Sequence, residues 1–253
     1  MAVGPVRRAV VALGACVLLG GCGGGTDPAT TATTPGTTPR ATATATAPLT
    51  SVVAARHGPI PPALRTAESA AEDTIDLALA GRRRRVMAKA RALQAVADGP
   101  AGPALRAAGV SEAEIAEFRT RAREVARLAP AADLVRVALA SNRAFGLIAG
   151  FFAHFSGRIP PQVSALDHLD FEAKLQATAG DRAALGAAAA GLGRTWAGLR
   201  PGVVEAGGAR VARRFDAHVA RLRRLAATGG RPAAREAQRG LDLVDEIEAV
   251  YQR

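Results

Sequence analysis

Residues 134–155 read LVRVALASNRAFGLIAGFFAHF. Leu134, Ala138, Ser141, Phe145, Ile148, Phe152 and Phe155 recur in alternating steps of four and three, the period of one helical face. Leu147 and Phe151 widen that face, and four of the seven phenylalanines fall here. The spacing predicts a helix from about residue 131 to 155, the most apolar of the chain and the centre of its core. A stripe of this kind left exposed marks a partner or lipid site. Burial is the simpler reading.

The same period extends on both sides. Upstream, Leu64, Ala71, Ile75, Leu79, Val86, Leu93 and Val96 trace a helix over 63–98, interrupted at Gly81. Gly99-Pro-Ala-Gly-Pro103 ends it. Ser111-Glu112-Ala113-Glu114 has the form of a capping box, followed by Ile115, Phe118, Ala122, Val125 and Leu128. Pro130 breaks that helix. Downstream, Pro160-Pro161 opens a helix that Gly180 ends, and Asp181 caps the next, with Leu185, Leu192, Trp196 and Leu199. Pro201 is expected to start a further helix or turn. Val211, Phe215, His218, Leu222 and Leu225 form another stripe. Gly229-Gly230 precedes a last helix with Leu243, Val244, Ile247, Val250 and Tyr251. The expected fold is all-α: an antiparallel bundle of about four to six main helices over residues 61–253. Ile75-Asp76-Leu77, Leu166-Asp167-His168 and Leu241-Asp242-Leu243 echo one another, too briefly to define a repeat.

Composition agrees. Nearly half of the 253 residues are apolar but only 4% are aromatic. Alanine and leucine are the best helix formers, and the β-branched and aromatic residues that strands favour are sparse. The 33 basic residues include only two lysines, Lys89 and Lys174, so the net charge of +11 is carried by arginine. Such a field draws a protein towards anionic head groups and polymers, with little specificity.

The N-terminus is organised differently. Arg7 and Arg8 precede a short apolar run, Ala9 to Leu19, and then Gly20, Gly21 and Cys22. The run falls short of the roughly 20 residues of a membrane span and has the form of a secretory signal. Leu19-Gly20-Gly21-Cys22 resembles the lipobox of bacterial lipoproteins. The resemblance covers residues 1–22 and implies that Cys22 is acylated and that cleavage falls just before it. Ala9-Val10-Val11 fits twin-arginine export poorly, so the general secretory route is expected. Cys16 leaves with the signal, so Cys22 is the sole cysteine of the mature chain. That excludes a disulfide within the mature chain, cysteine catalysis and cysteine metal sites. Residues 22–60, including TATTPGTTPRATATATAP, have no apolar period and read as a stiff Thr/Pro/Ala tether. The expected location is the extracytoplasmic face of the cell membrane, or an outer membrane if the organism has one.

Candidate chemistry is thin. Asp167-His168-Leu169-Asp170-Phe171-Glu172 is the densest group of ligand-type side chains, and His168 and Glu172 share a helical face. With Asp167, and with His154 or His218 from elsewhere, they are the candidate divalent-metal ligands. The competing reading makes His218 a packed histidine on its apolar stripe. No other cofactor is expected. Arg82, Arg83, Arg84 and Arg85, and a second group including Arg213 and Arg214, are the candidate anion-binding residues. Consecutive helical arginines sweep through most of a turn, so Arg82 to Arg85 do not all face one partner. No aromatic residues interleave with them, which argues against nucleic acid. Neither a nucleophile elbow nor a phosphate loop stands out, so no enzyme is expected. The expected role is binding or scaffolding at the cell envelope, towards a protein or an anionic polymer.

Overall fold

The computed structural model describes residues 57–253. The signal sequence, Cys22 and most of the tether lie outside the described residues. The described chain is an all-α bundle. Its helices are α1 (Pro62–Leu79), α2 (Arg83–Asp98), α3 (Ala101–Ala107), α4 (Glu112–Leu128), α5 (Leu134–Phe151), α6 (Pro161–Ala179), α7 (Arg182–Glu205), α8 (Ala209–Ala226) and α9 (Gly230–Gln252). The folded part begins before the expected boundary at residue 61. His57–Pro59 forms a short strand, β1, pairing in parallel with β2 (Phe155–Ser156), so His57 belongs to the domain rather than the tether.

Local chemistry sets the helix ends. The Ser111 hydroxyl accepts from the Glu114 N–H while the Glu114 carboxylate accepts from the Ser111 N–H, completing the capping box. Asp181 caps α7 by accepting from the Ala184 N–H at 2.9 Å, and Asp133 caps α5 through the Arg136 N–H. Gly81 takes φ 71° and Gly180 takes φ 81°, left-handed values that a residue with a Cβ adopts only with strain. Gly81 therefore ends α1 rather than kinking one long helix over 63–98. Pro201 lies inside α7, which runs unbroken to Glu205 instead of restarting there.

Within this bundle the eight long helices of the described residues are arranged as two rings of four. In the first, α1 packs on α2, α2 on α4, α4 on α5, and α5 back on α1. In the second, α6 packs on α7, α7 on α8, α8 on α9, and α9 back on α6. Short connections make chain neighbours antiparallel. The two rings repeat one another in register. Gly58-Pro-Ile-Pro-Pro62 precedes α1, and Gly157-Arg-Ile-Pro-Pro161 precedes α6, 99 residues on. At the same offset, buried Val86, Ala90, Leu93 and Ala97 of α2 match Leu185, Ala189, Leu192 and Trp196 of α7. Ala138, Ser141, Phe145 and Ile148 of α5 match Ala237, Gly240, Val244 and Ile247 of α9. At an offset of 97, Phe118, Ala122 and Val125 of α4 match Phe215, Val219 and Leu222 of α8. The echo of Ile75-Asp76-Leu77 is out of this register.

The rings meet where α5 packs on α6. Phe171 and Leu175 of α6 and Leu241 of α9 enter the first core, while Val163, Leu166 and Ala173 of α6 enter the second. This makes α6, as much as α5, the central helix. It is buried on two sides, so its apolar residues form no single stripe. Leu134–His154 is long and apolar enough to cross a membrane by length and composition, yet its Phe145 and Ile148 lie fully buried in the first core.

Candidate functional site

Asp167, His168, Asp170 and Glu172 sit on one helix, but their side chains diverge. Residues 168 and 170 differ by about 200° around a helix. His168 faces α5, and Asp170 faces α8 and α9.

On the α5 side, Asn142 organises the cluster. Its amide nitrogen donates to the Glu172 carboxylate at 2.7 Å and to the His168 carbonyl at 3.2 Å. Its amide oxygen is thereby turned towards His168 Nδ1, 3.3 Å away. That nitrogen must donate, which fixes the proton on Nδ1. Gln176 donates to the other Glu172 oxygen at 2.7 Å. The ring lies over Gly146, where an added Cβ would come within 2.8 Å of it, and edge-on to Phe145. Burial pulls the His168 pKa down and favours the neutral ring, against the charge of Glu172 and the hydrogen bond to Asn142, which both raise it.

On the other side, His218 of α8 is enclosed. Its Nε2 lies 3.0 Å from Asp170 of α6, and its Nδ1 lies 3.2 Å from Glu236 of α9. The three side chains are almost wholly buried. An imidazole facing carboxylates through both nitrogens donates twice only as the imidazolium. Burial lowers the His218 pKa, but the bonds and charges of Asp170 and then Glu236 outweigh it, and the net shift is upward. Burial pushes Asp170 up to about 6, with the charge of Glu236 adding and His218 opposing. The second Glu236 oxygen takes Arg221 and Arg239, each at 3.0 Å. Gly240 gives the Asp170 carboxylate its space: a Cβ there would fall 2.3 Å from Oδ2.

The proposed metal ligands thus do not assemble. His168 and Glu172 share Asn142, His218 is held by Asp170 and Glu236, and His154 lies 3.1 Å from the Ala108 carbonyl. The carboxylates around His218 sit at opposite edges of its ring, so no point touches all three groups as a metal would. Among the described residues, no group of three or more His, Cys, Asp or Glu side chains is placed to hold a metal ion. His218 is a packed histidine on the apolar stripe of α8, held by two carboxylates. Sequence reasoning missed Asn142, Asp170 and Glu236 as partners. Glu236 was the legible one: it is a charge on the buried face that Ala233, Ala237 and Gly240 define.

No protein-family model, curated protein or solved structure matches this chain.

The arginines remain on the surface. Arg82 immediately precedes α2 without a side-chain capping bond, and Arg83 to Arg85 form its first turn. Arg83 donates to the Ala131 and Ala132 carbonyls at 2.9 Å, tying α2 to the α4–α5 connection. Along α8, Arg210, Arg213, Arg214, Arg221 and Arg224 are all exposed and fall on one side by helical spacing. Arg214 pairs with Glu246 and Arg221 with Glu236. Arg210, Arg213 and Arg224 make no ion pair among the described residues. An open concavity of about 300 Å³ between α1 and α2 is lined by Arg65, Thr66, Ser69 and Lys89 and contains none of the histidines. Val204 is the one exposed large hydrophobic residue among those described.

Proposed function

We propose that this chain is a lipid-anchored, exported cell-envelope protein whose helical domain is a non-catalytic binding or scaffolding module. The anchor reading rests on the Leu19-Gly20-Gly21-Cys22 sequence and the tether behind it. The observation that carries the binding reading is the side of α8 bearing Arg210, Arg213 and Arg224, exposed and without carboxylate partners. Its chemistry suits an anionic polymer or head group of the envelope. A protein partner recognised through an apolar groove fits less well, since the surface described is polar. The titratable side chains inside the domain are engaged with one another rather than arranged around a concavity, which favours binding over catalysis.

The test combines both halves of the reading. Wild-type protein is expected in the membrane fraction and labelled by palmitate, with Cys22→Ser unlabelled and released. The released protein is then mixed with purified anionic wall polymer or anionic vesicles at rising salt. Binding should weaken steeply with salt, and Arg210→Ser/Arg213→Ser/Arg224→Ser should lower it on the order of a hundredfold at low salt, at about 1 kcal/mol per arginine. Unchanged labelling in Cys22→Ser would remove the anchor reading. Salt-insensitive binding, or none, would remove the electrostatic one.

A further inference from the structure

The two rings provide a comparison within one molecule. Asp170 of α6 corresponds to Ala71 of α1, and Glu236 of α9 to Val137 of α5, both 99 residues earlier. His218 corresponds to Arg121, a half-buried residue that turns outward to Glu117 and Glu124. Ala71 and Val137 are fully buried in the first ring. The same helix architecture therefore closes over an apolar interior. The charged trio of the second ring is not required by the packing, and burying it carries a desolvation penalty.

We propose that Asp170, His218 and Glu236 form a protonation-gated clasp that holds α8 onto α6 and α9 and loosens as the pH rises. Each member lies on a different helix of the second ring, so a single imidazolium bridges all three. The groups around it are accounted for helix by helix. From α6 comes Asp170, with Lys174 one turn on, which donates to Gln238 of α9 at 2.7 Å. From α9 comes Glu236, backed by Arg239 at the surface. From α8 itself comes Arg221, on the same Glu236 oxygen. On the α7 side the ring meets Phe215, which stacks on Trp196, and the nearby Arg200 is taken by Asp216.

Losing the proton leaves a neutral ring with one donor between two carboxylates. One hydrogen bond is lost, and two buried negative groups face each other with their bridging charge gone. The sign is the same for both titrating members. A histidine raised by the fold stabilises it below its unfolded value and stops doing so as the pH passes the folded value. A buried carboxyl raised to about 6 likewise favours the fold at lower pH. His168, lowered in the fold, acts in the opposite direction, so the clasp is read locally in α8.

The test uses the full-length chain in detergent. Amide exchange is followed at about pH 5.5 and pH 8 and corrected for the intrinsic rate. Opening of α8 relative to α4, its counterpart in the first ring, should rise by up to about tenfold per pH unit between the ordinary histidine value of 6.5 and the folded His218 value, where opening releases one proton, and level off above it. His218→Gln should abolish that difference. If α4 and α8 respond alike, or if the response persists in His218→Gln, the clasp is wrong. Should the variant fail to fold, the nitrogen resonances of the His218 ring in the wild-type protein decide. Two protonated nitrogens at pH 6.5 are expected, and a neutral ring at that pH would overturn the proposal.

Discussion

Asp170 and Gly240 touch at a place where the first ring has Ala71 and Ser141. In the first ring the small residue is Ala71 on α1, and the Ser141 hydroxyl of α5 donates to the Ala71 carbonyl at 2.9 Å. In the second, the inner helix carries the carboxylate and the outer helix gives up its side chain. A glycine-to-alanine change inside a helix ordinarily gains about 1 kcal/mol. Gly240→Ala should instead destabilise by about 1–3 kcal/mol, because its Cβ would overlap the Asp170 carboxylate. In Asp170→Ala/Gly240→Ala the penalty for the alanine should vanish. Denaturant titrations of the four proteins in this cycle measure the coupling. Independent effects would show that the contact is relieved elsewhere. The position also explains why the site was hard to read. Asp170 stood in a visibly acidic cluster, but nothing local distinguished it from Asp167 or Glu172. Its partners lie 48 residues away on α8 and farther still on α9.

At the scale of the element, the best-read features are those closed within one or two turns. The Ser111–Glu114 box, the Asp181 cap and the ending of α6 at Gly180 each depend on residues three or four apart. Ser111→Ala should cost about 1 kcal/mol by denaturant titration. It should also change the acid limb of stability. The Ser111 hydroxyl bond, with its N–H, holds the Glu114 carboxyl below its ordinary value despite some burial. A lowered carboxyl stabilises the fold above its unfolded pKa of 4.5 and ceases to do so as the pH falls through the folded value. The serine's contribution should therefore fade as the pH falls below 4.5. A penalty that stays constant to pH 3 would show that the cap acts through geometry alone. A breaker's residue type does not fix its effect on a helix. Gly81 ends its helix through a left-handed turn, whereas Pro201 lies inside α7, which continues to Glu205.

Across the whole molecule, the seam between the rings is made by few residues. Phe171 is fully buried, belongs to the second ring by its helix and to the first by its contacts, and meets Phe145 edge-on at 6.2 Å. Phe171→Ala should destabilise by about 3–5 kcal/mol. It should lower amide protection in α5 as well as in α9, since the cavity opens into the first core. Loss confined to α6–α9 would mean that the rings open independently. A similar truncation away from the seam, at Leu192, should act on the second ring first.

The sequence by itself determined the helical class, most helix ends and the apolar faces, because a helix is closed by bonds between residues three and four apart. It also carried the Gly-x-Ile-Pro-Pro pair that marks the start of each ring, although the eye is drawn to shorter echoes. Only the tertiary structure decided that eight long helices close as two rings of four, and which side chains of α6 face which ring. It separated His168 from His218 and placed Asp170 and Glu236 on either side of the latter. Those outcomes depend on contacts between residues tens of positions apart. They are set by how buried faces fit one another, and neither periodicity nor composition records that fit.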